Sequence, residues 1–282
     1  MKIGIGLPNT IPGTPGRLLV DWARHAEKLG FSSLATIGRV AYPSYDTMAT
    51  LAAAGAVTER IGLISNILLI PTHDPVMVAK AAASVDQITG GRFTMGIGVG
   101  TRDDDYHASG VPFEERGRRA DAGLDIIHQA WAGQLVEGAR KPVTPTPVAG
   151  VVPILVGGTS DAAIRRTIRW GVGWTAGGSA PEMVGPFAER VRAAWRESGR
   201  EAAPRIVALS YFALGGAEAD GAANLSDYYG DFGPHIAAAM PKNAGAINDT
   251  AKRFEDAGVD ELMFDPTVSD AKQVDLLAEA IL

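Results

Sequence analysis

The chain has 282 residues, with 26 Lys+Arg against 32 Asp+Glu and a formal net charge of -6. An acidic chain without a basic block is a poor match to nucleic acid or to an anionic membrane surface, because both select clustered Lys and Arg. The absence of cysteine excludes disulfides, thiolate-bound zinc, iron–sulfur clusters and thiol nucleophiles, and no apolar run approaches the roughly 18 residues needed to span a bilayer.

Residues 2–7 read as a strand that ends at Pro8. Residues 15–29 read as an amphipathic helix, with Leu18, Leu19, Trp22, Ala26 and Leu29 on one stripe and Gly30 as its stop. A second strand at 32–37 and an Ala-rich helix at 45–59 follow. The third strand, 61–70, is almost wholly apolar, as in a parallel strand buried on both faces. Asp74 and Pro75 supply a cap and first turn for a helix over 75–88. Next come a strand at 92–98, a helix at 113–131 and a Pro- and Gly-rich loop at 132–151. Strands at 153–156, 172–176 and 205–214 then alternate with helices at 161–170 and 181–198. Residues 217–250 read as an irregular helical stretch leading into a helix at 250–257. A strand at 259–264 and a helix at 270–282 close the chain.

Eight strands, each followed by a helix, imply parallel βαβ units. Over this length they predict an α/β fold, a single (β/α)8 TIM barrel rather than an open doubly wound sheet. No repeat, linker or composition break divides the sequence, so residues 1–282 read as one domain. The opening residues lack a charged segment followed by a long apolar run, which points to the cytoplasm.

Barrel enzymes place their chemistry at the carboxyl ends of the strands. The 34 glycines, well above a usual level of roughly 7%, gather there. Gly96, Gly98 and Gly100 end the fourth strand before Thr101. Their spacing lets backbone approach a flat ligand, or else fills a crowded barrel interior with small residues. Gly157-Gly158-Thr159 follows the fifth strand and Gly177-Gly178-Ser179 the sixth, each directly before a helix. Free backbone N–H groups at a helix amino end suit a phosphate; the plain alternative is a pair of turns. Arg39, Tyr42 and Tyr45 follow the second strand, a rim cation with phenols beside it. His73 is a candidate acid or base, or a turn residue beside the capping Asp74.

His25, His73, His107, His128 and His235 do not pair at metal-ligand spacing, and Asp103, Asp104 and Asp105 read as a solvated acidic loop, so no metal is expected. Tyr228, Tyr229, Phe232 and His235 either cap a pocket or pack within the irregular helical stretch.

Several segments together resemble the luciferase-like flavin- or deazaflavin-dependent oxidoreductases. The strongest is Asp86-Gln87-Ile88-Thr89-Gly90-Gly91-Arg92-Phe93-Thr94-Met95-Gly96-Ile97-Gly98-Val99-Gly100. Gly110-Val111-Pro112-Phe113-Glu114-Glu115-Arg116-Gly117-Arg118-Arg119 continues it, with Thr58-Glu59-Arg60-Ile61-Gly62-Leu63, Val152-Pro153-Ile154-Leu155-Val156-Gly157-Gly158-Thr159 and Gly171-Val172-Gly173-Trp174. The resemblance, which spans about residues 1–178, implies a barrel that binds FMN or the deazaflavin coenzyme F-420 at its carboxyl face and acts on a small organic substrate. It implies a ring against Asn66, Ile67, Leu68, Gly98, Val99, Gly100 and Thr101, and a phosphate on Gly157, Gly158, Thr159, Gly177 and Gly178. It also implies a non-proline cis peptide at the Ile67-Leu68 step.

The sequence departs from that pattern in two places. The family's Asp-His or Glu-His pair after the second strand reads Gly38-Arg39 here, and the Glu that sugar-phosphate-oxidising members carry after the strand-four glycines reads Thr101. Arg39, His73 and Thr101 stand as the catalytic candidates, and Arg39 also as a holder of an anionic cofactor tail or substrate. The expected reaction is hydride transfer or monooxygenation. The alternatives are a non-catalytic flavin-binding protein and a phosphate-binding barrel lyase or isomerase. The latter is disfavoured because Lys80 and Lys141 fall in helix and loop, away from strand ends. The Ala-rich helix and the resemblance together point to a homodimer.

Overall fold

Strands that are apolar on both faces need cover on both sides, and the arrangement of elements supplies it. A computed structural model describes residues 1–282. The strands are β1 (Lys2–Gly6), β2 (Ser33–Thr36), β3 (Gly62–Leu69), β4 (Phe93–Gly98), β5 (Ile154–Gly157), β6 (Gly173–Thr175), β7 (Arg205–Phe212) and β8 (Glu261–Pro266). Each pairs in parallel with the next, and β8 closes onto β1 with Lys2 beside Glu261 and Ile5 beside Phe264. This is the predicted (β/α)8 barrel.

The helices are α1 (Gly16–Leu29), α2 (Thr47–Gly55), α3 (Pro75–Ile88), α4 (Asp103–Ala108), α5 (Arg116–Trp131), α6 (Asp161–Trp170), α7 (Pro181–Glu197), α8 (Glu218–Tyr229), α9 (Gly233–Ala239), α10 (Ala244–Asp256) and α11 (Lys272–Ile281). None is long and apolar enough to cross a membrane. Alternation along each strand sorts the core into two layers. Outward residues such as Leu34, Leu63, Phe93, Ile154 and Phe264 join helix residues such as Trp22, Ala82 and Leu124 in one cluster of 50 buried side chains. Inward residues Ala35, Ile64, Leu155, Val207 and Met263 form a small plug in the barrel lumen.

Most predicted elements fall within a residue or two of their observed bounds. Four differ more. The acidic run is not a solvated loop but the short helix α4. The stretch 113–131 is split, with a 3-10 turn at Phe113–Glu115 before α5. The irregular region resolves into α8, a 3-10 turn at Gly230–Phe232, and α9. α10 starts at Ala244 rather than 250, because the Asn243 side chain caps it by accepting from the Ala246 N–H at 2.9 Å.

The non-proline cis peptide lies at Asn66-Ile67, one step before the Ile67-Leu68 position implied by resemblance. It sits where the β3–β4 register shifts, between the Ser65–Met95 and Leu68–Ile97 pairs. Gly96 faces this segment. A Cβ there would lie 2.0 Å from the Ser65 carbonyl oxygen and 3.5 Å from Ile67 Cγ2, so only hydrogen fits between the two strands.

Gly96→Ala is therefore expected to cost about 1–3 kcal/mol or more through overpacking against backbone. Urea unfolding should show a lower midpoint at unchanged slope. An unchanged midpoint would show that β3 and β4 separate freely at this point.

Candidate active site

The loops after β2, β4 and β6, the end of β7 and the tip of α8 enclose a cavity of about 180 Å³ at the carboxyl end of the barrel. Of the sequence candidates it brings together Arg39, Asn66, Ile67, Gly100, Thr101, Gly177 and Gly178. A second cavity of about 260 Å³ lies between the start of α7, β7, α9 and α10. The two share Gly178, Leu209 and Tyr211 as a common wall.

The remaining candidates flank the mouth without lining it. Leu68 belongs to the outer core. Gly98 lies behind Ile67, whose Cδ1 would be 2.7 Å from a Cβ at that position. The Val99 carbonyl accepts the Tyr106 hydroxyl at 2.5 Å. Gly157 lies beside Ile97 and Ile67, and Gly158 and Thr159 form the turn before α6. His73 does not reach the cavity. Its Nδ1 is bonded to the Leu69 carbonyl and the Thr72 hydroxyl, each at 2.9 Å, so it serves the turn.

The two glycine turns differ in what they leave open. Before α6, the Ser160 hydroxyl caps the helix by accepting from Ala163 N–H at 3.3 Å. Before α7, Ala180 provides no side-chain cap, and the Ser179 hydroxyl donates to the Ala176 carbonyl at 3.1 Å. α7 therefore begins without a side-chain cap beside the second cavity, which Gly178, Ser179, Ala180 and Pro181 line.

Charge at the mouth is organised by Asp105. Its side chain is 1% exposed and that of Arg39 is 4%. Asp105 Oδ1 accepts the Val40 and Ala41 N–H groups at 2.8 Å, and Oδ2 accepts Arg39 Nε at 2.7 Å. Arg39 Nη2 reaches the more exposed Asp104 at 2.8 Å. The guanidinium also lies 5.4 Å from the Tyr42 ring centre and 5.5 Å from that of Tyr228. Arg102 donates to the Tyr228 carbonyl at 2.6 Å and sits 4.7 Å from its ring. The Tyr42 hydroxyl donates to Asp227 at 2.5 Å, and the Tyr211 and Tyr229 hydroxyls are 2.6 Å apart. The tip of α8 is thereby fastened over the mouth.

Burial raises the Tyr211, Tyr228 and Tyr229 phenols above their ordinary value. Asp265, the register neighbour of Tyr211, is 2% exposed and its Oδ2 has no partner. Burial pushes this carboxyl well up, toward the neutral acid.

Sequence reasoning named Tyr228 and Tyr229 as one of two options, and both line the cavity, whereas Phe232 is 73% exposed and His235 lines the second cavity. It passed over Arg102, Leu209 and Tyr211, and it read Asp105 as part of a solvated loop, whereas that side chain is buried. Strand alternation was signal enough for Leu209 and Tyr211, which share the inward face of β7 with Val207.

A carboxyl that keeps its proton when folded releases it near pH 4 when unfolded. Unfolding then releases a proton, so this group makes stability fall as pH rises above about 4. Asp265→Asn removes that dependence. Thermal unfolding should show the variant gaining on the native protein from pH 4.5 to pH 8. A gap that stays constant with pH would contradict a neutral Asp265.

Comparison with known proteins gives a consistent result. The model of the luciferase-like monooxygenase family matches residues 1–279. An uncharacterized protein of Mycobacterium tuberculosis is 31% identical over 237 residues, which cover 74% of this chain and 81% of that protein. A 4-hydroxyprotoasukamycin monooxygenase from Streptomyces nodosus subsp. asukaensis is 29% identical over 163 residues, 54% of this chain and 44% of that protein. Among solved structures, a monooxygenase from Streptomyces bottropensis superposes with a TM-score of 0.81 at 23% identity, covering 100% of this chain and 98% of that one. A coenzyme F-420-dependent tetrahydromethanopterin reductase from Methanopyrus kandleri superposes at 0.79 with 18% identity, covering 100% and 99%. At such identities the structural likeness speaks for the fold.

Proposed function

The chain belongs to the luciferase-like monooxygenase family, and from that premise we propose that it is a flavin-type oxidoreductase that works with FMN or coenzyme F-420 on a small organic substrate. The observation that carries this reading is a pair of orphaned donors. Arg39 Nη1 and Asn66 Nδ2 are buried, have no acceptor and belong to residues that line the mouth. An unsatisfied buried donor costs about 1–3 kcal/mol. The carbonyl edge of a flavin-type ring would remove this cost at Asn66, and a substrate oxygen would remove it at Arg39.

Asn66, Ile67, Gly100 and Thr101 would hold the ring, with Leu68, Gly98 and Val99 behind them. Gly100 has a φ of +62° and faces Leu69 Cδ2, which would lie 2.6 Å from a Cβ there, so a side chain is excluded on that wall. Gly177 and Gly178 would hold the phosphate at the start of α7, which has no side-chain cap, whereas Gly157, Gly158 and Thr159 precede an end that Ser160 already caps. When bound, the cofactor supplies the two-electron chemistry. The chain's own part is to position the substrate, with Arg39 and Thr101 at the mouth, and to shield it from water beneath Tyr211, Tyr228 and Tyr229.

We further assign all of residues 1–282 to one catalytic unit that works in the cytoplasm as a homodimer. An apolar groove between α1 and α2, where Leu19 and Val20 face Ala49 and Ala53, supports a second copy of the chain as partner.

Titration of the purified chain with FMN and separately with coenzyme F-420, followed by cofactor fluorescence, tests the reading. One of the two is expected to bind, and binding of neither overturns it. Gly178 lies where the cavities meet. A Cβ there makes only ordinary contacts, 3.6 Å to Tyr211 and 3.8 Å to Leu209. Gly178→Val should leave the fold intact while lowering cofactor affinity at least about tenfold, or roughly 1.4 kcal/mol.

A further inference from the structure

The mouth is rich in unfilled donors and has no free base. Asp105 is the one carboxylate among its lining residues. Both of its oxygens are occupied, Oδ1 by two backbone N–H groups and Oδ2 by Arg39 Nε. No histidine lines the cavity. The Tyr211, Tyr228 and Tyr229 phenols are held in the protonated form by burial, and Asp265 beside Tyr211 likewise. Tyr42 and Asp227, at the rim, are engaged with each other.

What remains open are N–H groups. Arg39 is clamped along two edges by Asp104 and Asp105 and lies between the Tyr42 and Tyr228 rings. Its third edge, Nη1, is buried and unpaired. A guanidinium does not release its proton near neutral pH. Arg39 is therefore a fixed donor and cannot act as a base. Arg102 adds a second cation to the same lining.

We propose that Arg39 Nη1 binds the reacting oxygen of the substrate as an oxyanion, so that the site takes ketones, enones and phenolates. This rests on the oxidoreductase reading above. The mouth supplies no free base, so the substrate exchanges its proton with solvent in either direction of the reaction. A bound reduced cofactor would supply hydride to the carbonyl carbon, and the C=O π pair would move onto oxygen. Arg39 donates a hydrogen bond to that oxygen as its charge grows. A proton from solvent then completes the alcohol, and the cofactor is oxidised by two electrons. A phenolate enters with its charge already on oxygen and meets the same contact.

The test uses 4-nitrophenol, whose phenol titrates near neutral pH and whose anion absorbs in the visible. It is titrated on the full chain, without cofactor and after reconstitution, while circular dichroism monitors folding. The native protein should lower the apparent pKa of the bound phenol by at least about one unit, a tenfold preference for the anion. The double variant Arg39→Met/Asp105→Asn removes the cation and its buried carboxylate together, so that neither is stranded, and should abolish the shift. Asp105→Asn alone keeps the cation and should retain it. No binding of 4-nitrophenol up to millimolar concentration, no shift in the native protein, or an equal shift in the double variant would each overturn the proposal. A retained shift in a chain that binds neither FMN nor F-420 would leave the oxyanion site standing and sink the cofactor reading instead.

Discussion

A carboxylate with almost no exposure, Asp105, holds the mouth of this barrel in shape. A buried charge persists only when it is paired and its lone pairs are filled, and Asp105 gathers three donors from the loop after β2. That demand fixes the path of residues 39–41 against α4. It also fixes Arg39, which has no freedom left once two of its edges are held. From Arg39 the constraint passes outward to Tyr42, then to Asp227 on α8. Arg102, one residue before α4, meets the same helix tip through the Tyr228 carbonyl. Three loops that share no sequence neighbourhood are thus ordered by one acid.

The depth of the site comes from small residues in the lumen. Gly6 leaves room for Asp265, whose Oδ1 would otherwise lie 1.9 Å from a Cβ. Gly96 lets β3 and β4 approach closely beside the cis step. The lumen plug is only five residues, and above it the inward positions turn polar. Asn66 Oδ1 accepts the Thr175 hydroxyl at 2.7 Å, which fixes the amide and leaves its N–H₂ unpaired. The glycine excess is therefore divided between two tasks. Part of it makes strand approach possible, and part of it, at Gly100 and Gly177, shapes the rim where φ is positive.

Much of this was legible in the sequence because it depends on local pattern. Apolar runs of strand length, the Asp74–Pro75 start and the Gly30 stop are short-range signals, and they fix the barrel count. Arg39, Gly100 and Gly177 could be named because they follow predicted strands directly. Asp105 could not. Three successive acids read as a solvated loop, and the partner that buries one of them lies 66 residues away in the chain. Tyr211 was contained in a predicted strand, but its role depends on which face of β7 turns inward. The resemblance implies the cis step one residue too late, and the extra residue that β3 carries against β4 between Ser65 and Leu68 leaves no trace in composition. The two glycine turns look equivalent in sequence, yet a hydroxyl at position 160 fills one helix end and the hydroxyl at 179 turns away from the other.

The cover over the mouth has its own apolar base. Leu209, Tyr211, Ala213, Leu225, Ala237 and Met240 form a cluster of six, separate from the 50 residues that unite barrel and outer helices. Segments with few buried apolar contacts open at a far smaller free energy than the body they rest on. α8 and α9 rest on β7 through a small apolar footing, with Leu209, Tyr211 and Ala213 on the strand side. A ligand that enters beneath the tip of α8 meets polar ties, Tyr42 to Asp227 and Arg102 to Tyr228, and not a sealed apolar seam.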